Sequence, residues 1–210
     1  EMFSVLESVR EKVSSSTRIL YAEGCDVMDD STDGFGAAVE AAQQSDAVLL
    51  VVGGKSGLTD DCTCGEARDR AELGLPGVQE QLVQAVIETG KPVVLVLVNG
   101  RPLTIPWIAE NVAAVVEAWL PGEEGANAIA DVVFGDFNPG GKLPMTFPRA
   151  VGQIPLFYNH KPSGNRSHWK GAYVEMTEKP LYPFGYGLSY TQFAIENLRI
   201  EQDAVGAGDT

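Results

Sequence analysis

Three largely apolar runs stand out along the first two thirds of the chain: DAVLLVVGG over 46–54, PVVLVLVNG over 92–100 and AAVVEAWLPG over 113–122. Each run is short, rich in valine or leucine, and closed by glycine. Runs of this kind are typical of parallel strands that are covered on both faces of a sheet. The pattern therefore predicts three buried strands.

Helices are predicted between and around these strands, because apolar residues recur there at the three- to four-residue spacing of a helix face. The predicted helices cover 2–13, 33–45 with Asp33 as the N-cap residue, 78–90, 106–112 and 123–135. Glu123 and Glu124 are expected to cap and stabilise the start of the last helix. A further strand is predicted over 17–24, TRILYAEG. The alternation of strand and helix predicts an α/β fold, a mostly parallel sheet with helices on both faces.

The chain changes character at Asp136. Residues 136–192 are rich in glycine, proline and aromatic side chains and show little helical periodicity. Because so many aromatic rings need partners, we predict an ordered, irregular segment that wraps the α/β core. From Phe193 the sequence FAIENLRIEQD alternates like an edge strand. The predicted boundaries are therefore an α/β domain over 1–192, and a linker with the first strand of a truncated β domain over 193–210.

The net charge of the 210-residue chain is −14, from 15 basic and 29 acidic residues. Nucleic acids and anionic membrane surfaces select clustered lysine and arginine, so neither partner is predicted. A neutral ligand such as a sugar is compatible with this charge. No segment has the apolar length of a membrane span, and the first residues lack the layout of a signal peptide. Since Glu1 is not an initiator methionine, we expect the chain to begin inside a longer polypeptide.

The three cysteines, Cys25, Cys62 and Cys64, allow at most one internal disulfide, which argues against a disulfide-based scaffold. A bond between Cys62 and Cys64 would close a very small, strained ring, so free thiols are predicted. Reduced cysteines favour a cytosolic setting, but the compartment otherwise stays open.

Residues 54–70, called here the GEARDR loop, follow the first apolar run and carry the densest chemistry of the chain. Parallel α/β sheets bind ligands beyond the carboxyl ends of their strands, which is where this loop begins. Its carboxylates Asp60, Asp61 and Glu66 could serve catalysis or bind a hard cation, although they lack the ligand spacing of calcium loops. The Arg68-Asp69-Arg70 cluster is expected to form ion pairs that orient the loop.

A metal centre is not predicted in the GEARDR loop. Paired zinc-binding cysteines usually have two to four residues between them and act with a second pair or with histidines. Cys62 and Cys64 are closer than that, and no second pair exists. The sequence therefore predicts no metal and no cofactor.

Longer motifs point to a known family. NPGGKLPMTFPR over 138–149, YNHKPSG over 158–164 and PLYPFGYGLSYTQF over 180–193 occur in this order. With GEARDRAELGLPGVQEQLV before them, they resemble the C-terminal portion of glycoside hydrolase family 3, closest to its bacterial β-glucosidases. The resemblance implies an α/β sandwich domain that follows an N-terminal TIM-like barrel. A fibronectin-type-III-like domain often comes next in this family, which suits the strand predicted from Phe193.

The resemblance implies a retaining β-glycosidase, which needs one carboxyl group as nucleophile and one as general acid/base. Glu66 in GEARDR matches the family's acid/base glutamate, with Asp60 and Asp61 as rivals. The family's nucleophile is an aspartate on the barrel, in a Ser-Asp-Trp-like context that this chain lacks. The implied partners are therefore the N-terminal barrel of the same enzyme and a β-linked glucoside or related oligosaccharide. The chain alone is expected to be inactive.

Substrate contacts are expected from the polar loop NHKPSGNRSHW, 159–169. Trp169 could stack on the aglycone sugar, and His160 and Arg166 are the other substrate-binding candidates; an ordinary surface loop is the alternative. For the whole chain, the alternative function is a non-catalytic structural or carbohydrate-binding domain. A nucleotide-binding protein is disfavoured, because no strand is followed by a phosphate loop.

Overall fold

A computed structural model describes residues 3–159, 173–199 and 206–207. Its centre is a parallel sheet of three strands in the order β1, β2, β3. The strands are β1 Val48–Gly53, β2 Val93–Val98 and β3 Ala114–Trp119. The three strands predicted from the apolar runs are therefore confirmed, and β2 is the central one.

Five α-helices accompany the sheet in the described residues, as the apolar spacing predicts. They are α1 Val5–Lys12, α2 Phe35–Gln43, α3 Gln79–Ile87, α4 Pro106–Asn111 and α5 Gly125–Phe134. α1 begins with a capping box between Ser4 and Glu7, and α5 ends at Gly135 in the left-handed conformation with φ 81°. No helix within these ranges is long and apolar enough to cross a bilayer.

Two expected helix caps differ from the prediction. Asp33 is not the N-cap residue of α2: Gly34 holds that position, and the N–H of Phe35 is already satisfied by the Thr32 carbonyl at 3.0 Å. Glu124 is the N-cap residue of α5, but its carboxylate accepts a hydrogen bond from the Asn127 side chain at 2.7 Å and none from the backbone. Local turn geometry and a side-chain partner therefore replace both predicted caps.

The core lies on the sheet face that carries Leu95 and Leu97, which are fully buried. α3 contributes Val83 and α4 contributes Ile108 to the same cluster. Because successive strand residues point to opposite faces, the complete burial of Val96 means that β2 is covered on its other face as well. The fold is therefore an α/β sandwich around β2.

The outer strands are less buried than the apolar runs predict. Val51 in β1 is 42% exposed, and β3 is half-buried along most of its length. Each of these strands has a neighbour on one side only within the described residues, since β1 and β3 are the two edges of the sheet. The prediction of strands covered on both faces is thus confirmed for the central strand, although Val94 and Val98 are only half-buried, and it is wrong for the outer strands.

The strand predicted over 17–24 is not formed. A strand exists only with a neighbour that completes its ladder of backbone hydrogen bonds, and none of the described strands pairs with this segment. The segment instead has no regular secondary structure and leads to Gly24, which packs tightly on α3. A Cβ at this glycine would lie 2.5 Å from Cδ2 of Leu82.

Part of the segment that follows α5 packs on the core through aromatic side chains. Phe147 is 2% exposed and lies edge-on to Trp119 and Tyr182, with ring centroids 5.8 and 6.1 Å away. Phe147 and Tyr182 also form an isolated antiparallel bridge, and Leu181 packs on the main core. The wrapping segment therefore closes the sheet at the end of β3.

Residues 193–199 do not form the predicted edge strand. Phe193, Ile195 and Leu198 are at least 90% exposed, so these apolar side chains have no packing surface among the described residues. A strand needs such a surface and a neighbouring strand. The fibronectin-type-III-like domain from Phe193 onward stays a prediction.

Candidate active site

The loops that follow the three strands begin side by side. The N–H of Gly54 donates to the Val98 carbonyl at 2.8 Å, and the N–H of Asn99 donates to the Trp119 carbonyl at 2.9 Å. The strands thus stay paired where their loops begin. The GEARDR loop therefore emerges directly beside the loop that contains Gly100.

The GEARDR loop folds back on itself through its backbone. The N–H of Cys64 donates to the Lys55 carbonyl at 3.2 Å, and the N–H of Gly57 donates to the Cys64 carbonyl at 3.0 Å. These bonds belong to an isolated bridge between Ser56 and Cys64. The loop is consequently an ordered platform for the residues that follow Cys64.

The cysteines of this loop pack as small buried side chains. Cys62 and Cys64 are 7% and 5% exposed, and Cys25, Cys62 and Cys64 are all free thiols, as predicted. The thiol of Cys64 lies against the next loop, since a Cβ at Gly100 would be 2.8 Å from its Sγ. Cys64 therefore joins the two loops through packing.

Glu66 lies at the tip of a tight turn. The N–H of Arg68 donates to the Gly65 carbonyl at 3.3 Å, and Ala67 adopts the left-handed conformation with φ 55°. This conformation is unfavourable for alanine and persists only where the surroundings enforce it. The turn leaves Glu66 exposed, and its carboxylate has no hydrogen-bond or ion-pair partner within the described residues.

The two rival carboxylates are engaged in ion pairs. Asp61 pairs with the ammonium of Lys55 and accepts a hydrogen bond from the Thr59 hydroxyl at 2.5 Å. These contacts, that with Lys55 above all, lower the pKa of Asp61 to about 2. Asp60 pairs with Arg68 at 3.0 Å and is fully exposed. Of the three candidates, Glu66 alone has no such partner in the described structure.

The arginines of GEARDR point away from Glu66, and Asp69 is not their partner. The Arg68 guanidinium donates to the Leu58 carbonyl at 2.6 Å as well as to Asp60. Arg70 donates to the Gly74 carbonyl at 3.0 Å, and burial lowers its pKa, helped by the nearby charge of Arg101. The predicted ion pairing is thus confirmed for Arg68, with Asp60 as its partner.

A half-buried carboxyl group that the sequence reading overlooked lies at the end of β3. Glu117 is 3.1 Å from the amide nitrogen of Asn99 and accepts the N–H of Trp119 at 3.0 Å. Burial raises its pKa to about 7, against the opposing effect of these two hydrogen bonds. The signal was present in the sequence: a single glutamate interrupts the apolar run AAVVEAW.

The backbone around Glu117 is irregular. Leu97 of β2 pairs with Glu117, but the next residue, Val98, pairs with Trp119, so Ala118 bulges out of the ladder. Trp119 has a positive φ of 53°. Bulges re-aim side chains and are common beside active sites. Here the bulge lets the N–H of Trp119 turn back to the Glu117 carboxylate.

Two cavities lie near these loops. A small one of about 10 Å³, room for one water molecule, lies between the GEARDR loop and Arg101 and is also lined by Arg70, Cys64 and Asn99. A wider depression of about 450 Å³ is lined by acidic residues, among them Glu23, Asp26 and Asp29. Within the described ranges, no three histidine, cysteine or acidic side chains come together in a group that could hold a metal ion.

The three predicted substrate-binding residues are His160, Arg166 and Trp169. All of them fall outside the described residues. The described structure thus brings together Glu66, its two rivals and the arginines.

Comparison with known proteins identifies the class. Residues 1–190 match the family described as the glycosyl hydrolase family 3 C-terminal domain. The chain therefore belongs to glycoside hydrolase family 3, as a C-terminal α/β domain, which confirms the resemblance seen in its motifs.

The chain is similar to named glycosidases over nearly its whole length. It is 48% identical to a β-xylosidase of Formosa agariphila over 207 residues, which is 99% of this chain and 28% of the xylosidase. It is 39% identical to a periplasmic β-glucosidase of Salmonella typhimurium, covering 94% of this chain and 28% of that enzyme. The chain thus spans little more than a quarter of the length of these relatives.

Solved structures give the same result. The β-glucosidase of Listeria innocua in complex with isofagomine superposes with a TM-score of 0.77 at 36% identity, over 91% of this chain and 26% of that one. A β-glucosidase of Erythrobacter marinus superposes with a TM-score of 0.76, also at 36% identity, over 91% of this chain and 28% of that one. The fold described above is thus that of a part of these larger glycosidases.

Proposed function

We propose that this chain is the C-terminal domain of a retaining β-glycosidase and supplies its general acid/base, Glu66. The observation that carries the proposal is the position of Glu66. It is an exposed carboxylate on an enforced turn, in an ordered loop at the carboxyl end of a parallel sheet. Carboxyl ends of parallel strands are where α/β folds bind their ligands.

In this mechanism Glu66 acts twice. It first donates its proton to the glycosidic oxygen, so that the aglycone leaves as an alcohol while the nucleophile forms a glycosyl-enzyme intermediate. The ionised Glu66 then takes a proton from the water that hydrolyses this intermediate. Retaining enzymes hold their two carboxyl groups about 5 Å apart. An exposed carboxylate at the tip of a turn suits contact with a second domain.

The nucleophile in this proposal is an aspartate on an N-terminal TIM-like barrel of the same polypeptide. The share of each relative that the chain covers, 28% in the first two, leaves room for such a domain. One solved Listeria innocua complex contains a β-glucosidase variant in which an aspartate is replaced by alanine, with laminaribiose bound. The chain by itself is therefore expected to lack glycosidase activity.

The ion pair of Asp61 argues against this rival as the acid. A general acid must keep its proton near neutral pH, which a carboxyl group held ionised by a cation does not do. Asp61 has a pKa lowered to about 2 by Lys55 and Thr59. Asp60 is bound to Arg68. Glu66 has no ion-pair partner in the part of the chain that the structure describes.

The proposed substrate is a β-linked glucoside or a related β-linked sugar. The support comes from the relatives, which include β-glucosidases and a β-xylosidase, and from solved Listeria innocua complexes with glucose and laminaribiose. Trp169, His160 and Arg166 remain the proposed substrate contacts, with Trp169 stacking on the aglycone sugar.

The test is the Glu66→Gln variant of the complete enzyme, assayed on two β-glucosides. An alkyl glucoside needs protonation of its leaving group, whereas a dinitrophenyl glucoside does not. We expect the variant to lose far more activity on the alkyl glucoside, and azide to restore turnover of the aryl glucoside. An equal loss on both substrates without rescue by azide would contradict the proposal.

A non-catalytic role makes a different forecast for the same protein. In that case Glu66→Gln would leave the rates on both glucosides unchanged. Asp69→Asn is the matched control, because Asp69 is an exposed acid of the same loop. This control variant is expected to retain the wild-type ratio of the two rates.

A further inference from the structure

A continuous chain of hydrogen bonds links Glu117 to the turn that carries Glu66. The Glu117 carboxylate accepts from the Asn99 amide at 3.1 Å, and the Asn99 oxygen accepts the N–H of Arg101 at 3.1 Å. The Arg101 guanidinium then donates to the backbone carbonyl of Arg68 at 2.8 Å. Arg68 follows Glu66 by two residues and closes its turn.

This chain of bonds is buried at its centre. Asn99 is 2% exposed, and Arg101 is half-buried. The orientation of the Asn99 amide is determined by its neighbours, since its NH₂ must face a carboxylate and its oxygen must face an N–H. A buried polar network in which donors and acceptors are matched in this way favours one geometry.

Glu117 is unfavourable for the strand in which it lies. Even a half-buried carboxyl group is destabilising unless hydrogen bonds compensate it, and an apolar residue would suit its place opposite Leu97 better. A role for Glu117 beyond strand stability would account for its presence. Its contacts lead across the ends of β2 and β3 towards the GEARDR loop.

We propose that Glu117 is a positioning residue for Glu66, acting through Asn99 and Arg101 on the Arg68 carbonyl. This inference rests on the proposed acid/base role of Glu66. Arg68 is held at three points: its N–H by Gly65, its carbonyl by Arg101, and its guanidinium by Leu58 and Asp60. Of these, the Arg101 bond is the one that reaches back to the sheet. It therefore fixes the direction of the turn relative to the strands.

The experiment compares Glu117→Leu and Glu117→Gln in the complete enzyme. Leucine removes the acceptor of the Asn99 bond, whereas glutamine keeps an oxygen in its place. We expect Glu117→Leu to lower kcat/KM on an alkyl β-glucoside about tenfold or more, since misplacing a catalytic group by about 1 Å has effects of this size. Activity on a dinitrophenyl glucoside should fall much less. Glu117→Gln should recover most of the alkyl glucoside activity.

The buried thiols provide a readout that does not depend on activity. Cys62 and Cys64 report on the order of the GEARDR loop, whereas Cys25 lies on a different segment and serves as an internal reference. We expect Glu117→Leu to speed the alkylation of Cys62 and Cys64 by iodoacetamide and to leave Cys25 unchanged. Glu110 is an exposed acid on α4, and Glu110→Gln is the matched control. It should change neither kcat/KM on the two glucosides nor the rate of cysteine alkylation.

The outcomes separate this inference from the proposed function. If Glu66→Gln shows no dependence on the leaving group, the acid/base role itself is wrong. If Glu66→Gln shows that dependence but Glu117→Leu keeps the wild-type ratio of the two rates, the positioning role is overturned. If all three cysteines of Glu117→Leu become reactive, the domain has unfolded. In that case the Arg101→Met variant is tested with the same two glucosides and judged by the same ratio of rates. It removes only the hydrogen bond to the Arg68 carbonyl and keeps the aliphatic part of the side chain.

Discussion

Gly65 approaches Gly57 so closely that a Cβ at residue 65 would lie 2.3 Å from the Gly57 carbonyl oxygen. Gly65 also has a φ of 127°, a conformation that residues with a side chain rarely adopt. The close contact with Gly57 and the positive φ both exclude a side chain at residue 65, so glycine is the residue that fits directly before Glu66.

Gly65→Ala is therefore expected to disturb the turn that presents Glu66. The change should lower the free energy of unfolding by about 1–3 kcal/mol through backbone strain. In the complete enzyme this change should also slow the hydrolysis of the alkyl glucoside more than that of the aryl glucoside. Gly36→Ala is the control, because a Cβ there meets no atom within 4 Å. If Gly65→Ala kept the wild-type free energy of unfolding and the wild-type rates on both glucosides, the requirement for glycine at this turn would be contradicted.

Gln79 holds the end of β1 to the start of α3. Its amide accepts the Gly53 N–H and donates to the Gly53 carbonyl, both at 2.8 Å, and it is 4% exposed. Gln79→Ala should reduce the free energy of unfolding in urea by about 2–4 kcal/mol, since two buried backbone groups lose their partner. Gln81→Ala, at an exposed position of the same helix, should change it little. Equal values for the two variants would contradict the assigned role of Gln79.

Glu117 makes the stability of the domain depend on pH. Its carboxyl pKa is raised from 4.5 to about 7 in the folded state by burial, against hydrogen bonds from Asn99 and the Trp119 N–H. The folded protein then binds a proton more tightly than the unfolded chain, so this contribution is complete below pH 4.5 and is lost as pH rises through about 7. The loss amounts to at most about 3 kcal/mol.

Glu117→Gln should remove this part of the pH dependence. The free energy of unfolding of the wild type and of the variant is measured by urea denaturation at pH 5 and at pH 8. The contribution of Glu117 is the difference between the changes that the two proteins show from pH 5 to pH 8. We expect the wild type to lose more stability than the variant between these pH values. Parallel losses would show that Glu117 titrates in the folded state as it does in the unfolded chain.

Asp61 should be dispensable for proton donation. Its pKa is lowered to about 2 by Lys55 and Thr59, so its carboxylate stays ionised at every pH above that value. Asp61→Asn in the complete enzyme is expected to keep the wild-type pH–rate profile for the alkyl glucoside. A displaced limb of that profile, with Glu66 intact, would assign the acid to Asp61 instead.

Elements that follow from local periodicity were predictable from the sequence. The strands around Val51, Leu95 and Val116 are recognisable in the sequence as apolar runs, and the helices are recognisable by apolar residues at helical spacing. The segment 17–24 has the composition of a strand but forms none, because a strand also needs a neighbour, and composition does not specify one. The missing cap at Asp33 likewise depends on the turn before it.

The candidate site was predictable only in part. The motif GEARDR identifies Glu66, but neither the ion pair of Asp61 with Lys55 nor that of Asp60 with Arg68 follows from spacing. Glu117 was overlooked because a strand residue next to apolar neighbours was interpreted as part of the core. Its importance depends on Asn99, eighteen positions away in sequence and beside it in the sheet.

The outer edge of β1 has a consequence for handling the isolated chain. In the described structure β1 pairs with β2 on one side, and its other side presents backbone N–H and carbonyl groups without a strand neighbour. Charged side chains and prolines usually protect an edge strand from pairing with another chain. The strand Val48–Gly53 contains neither. Preparations of this chain alone should therefore self-associate by strand addition, increasingly so at higher concentration.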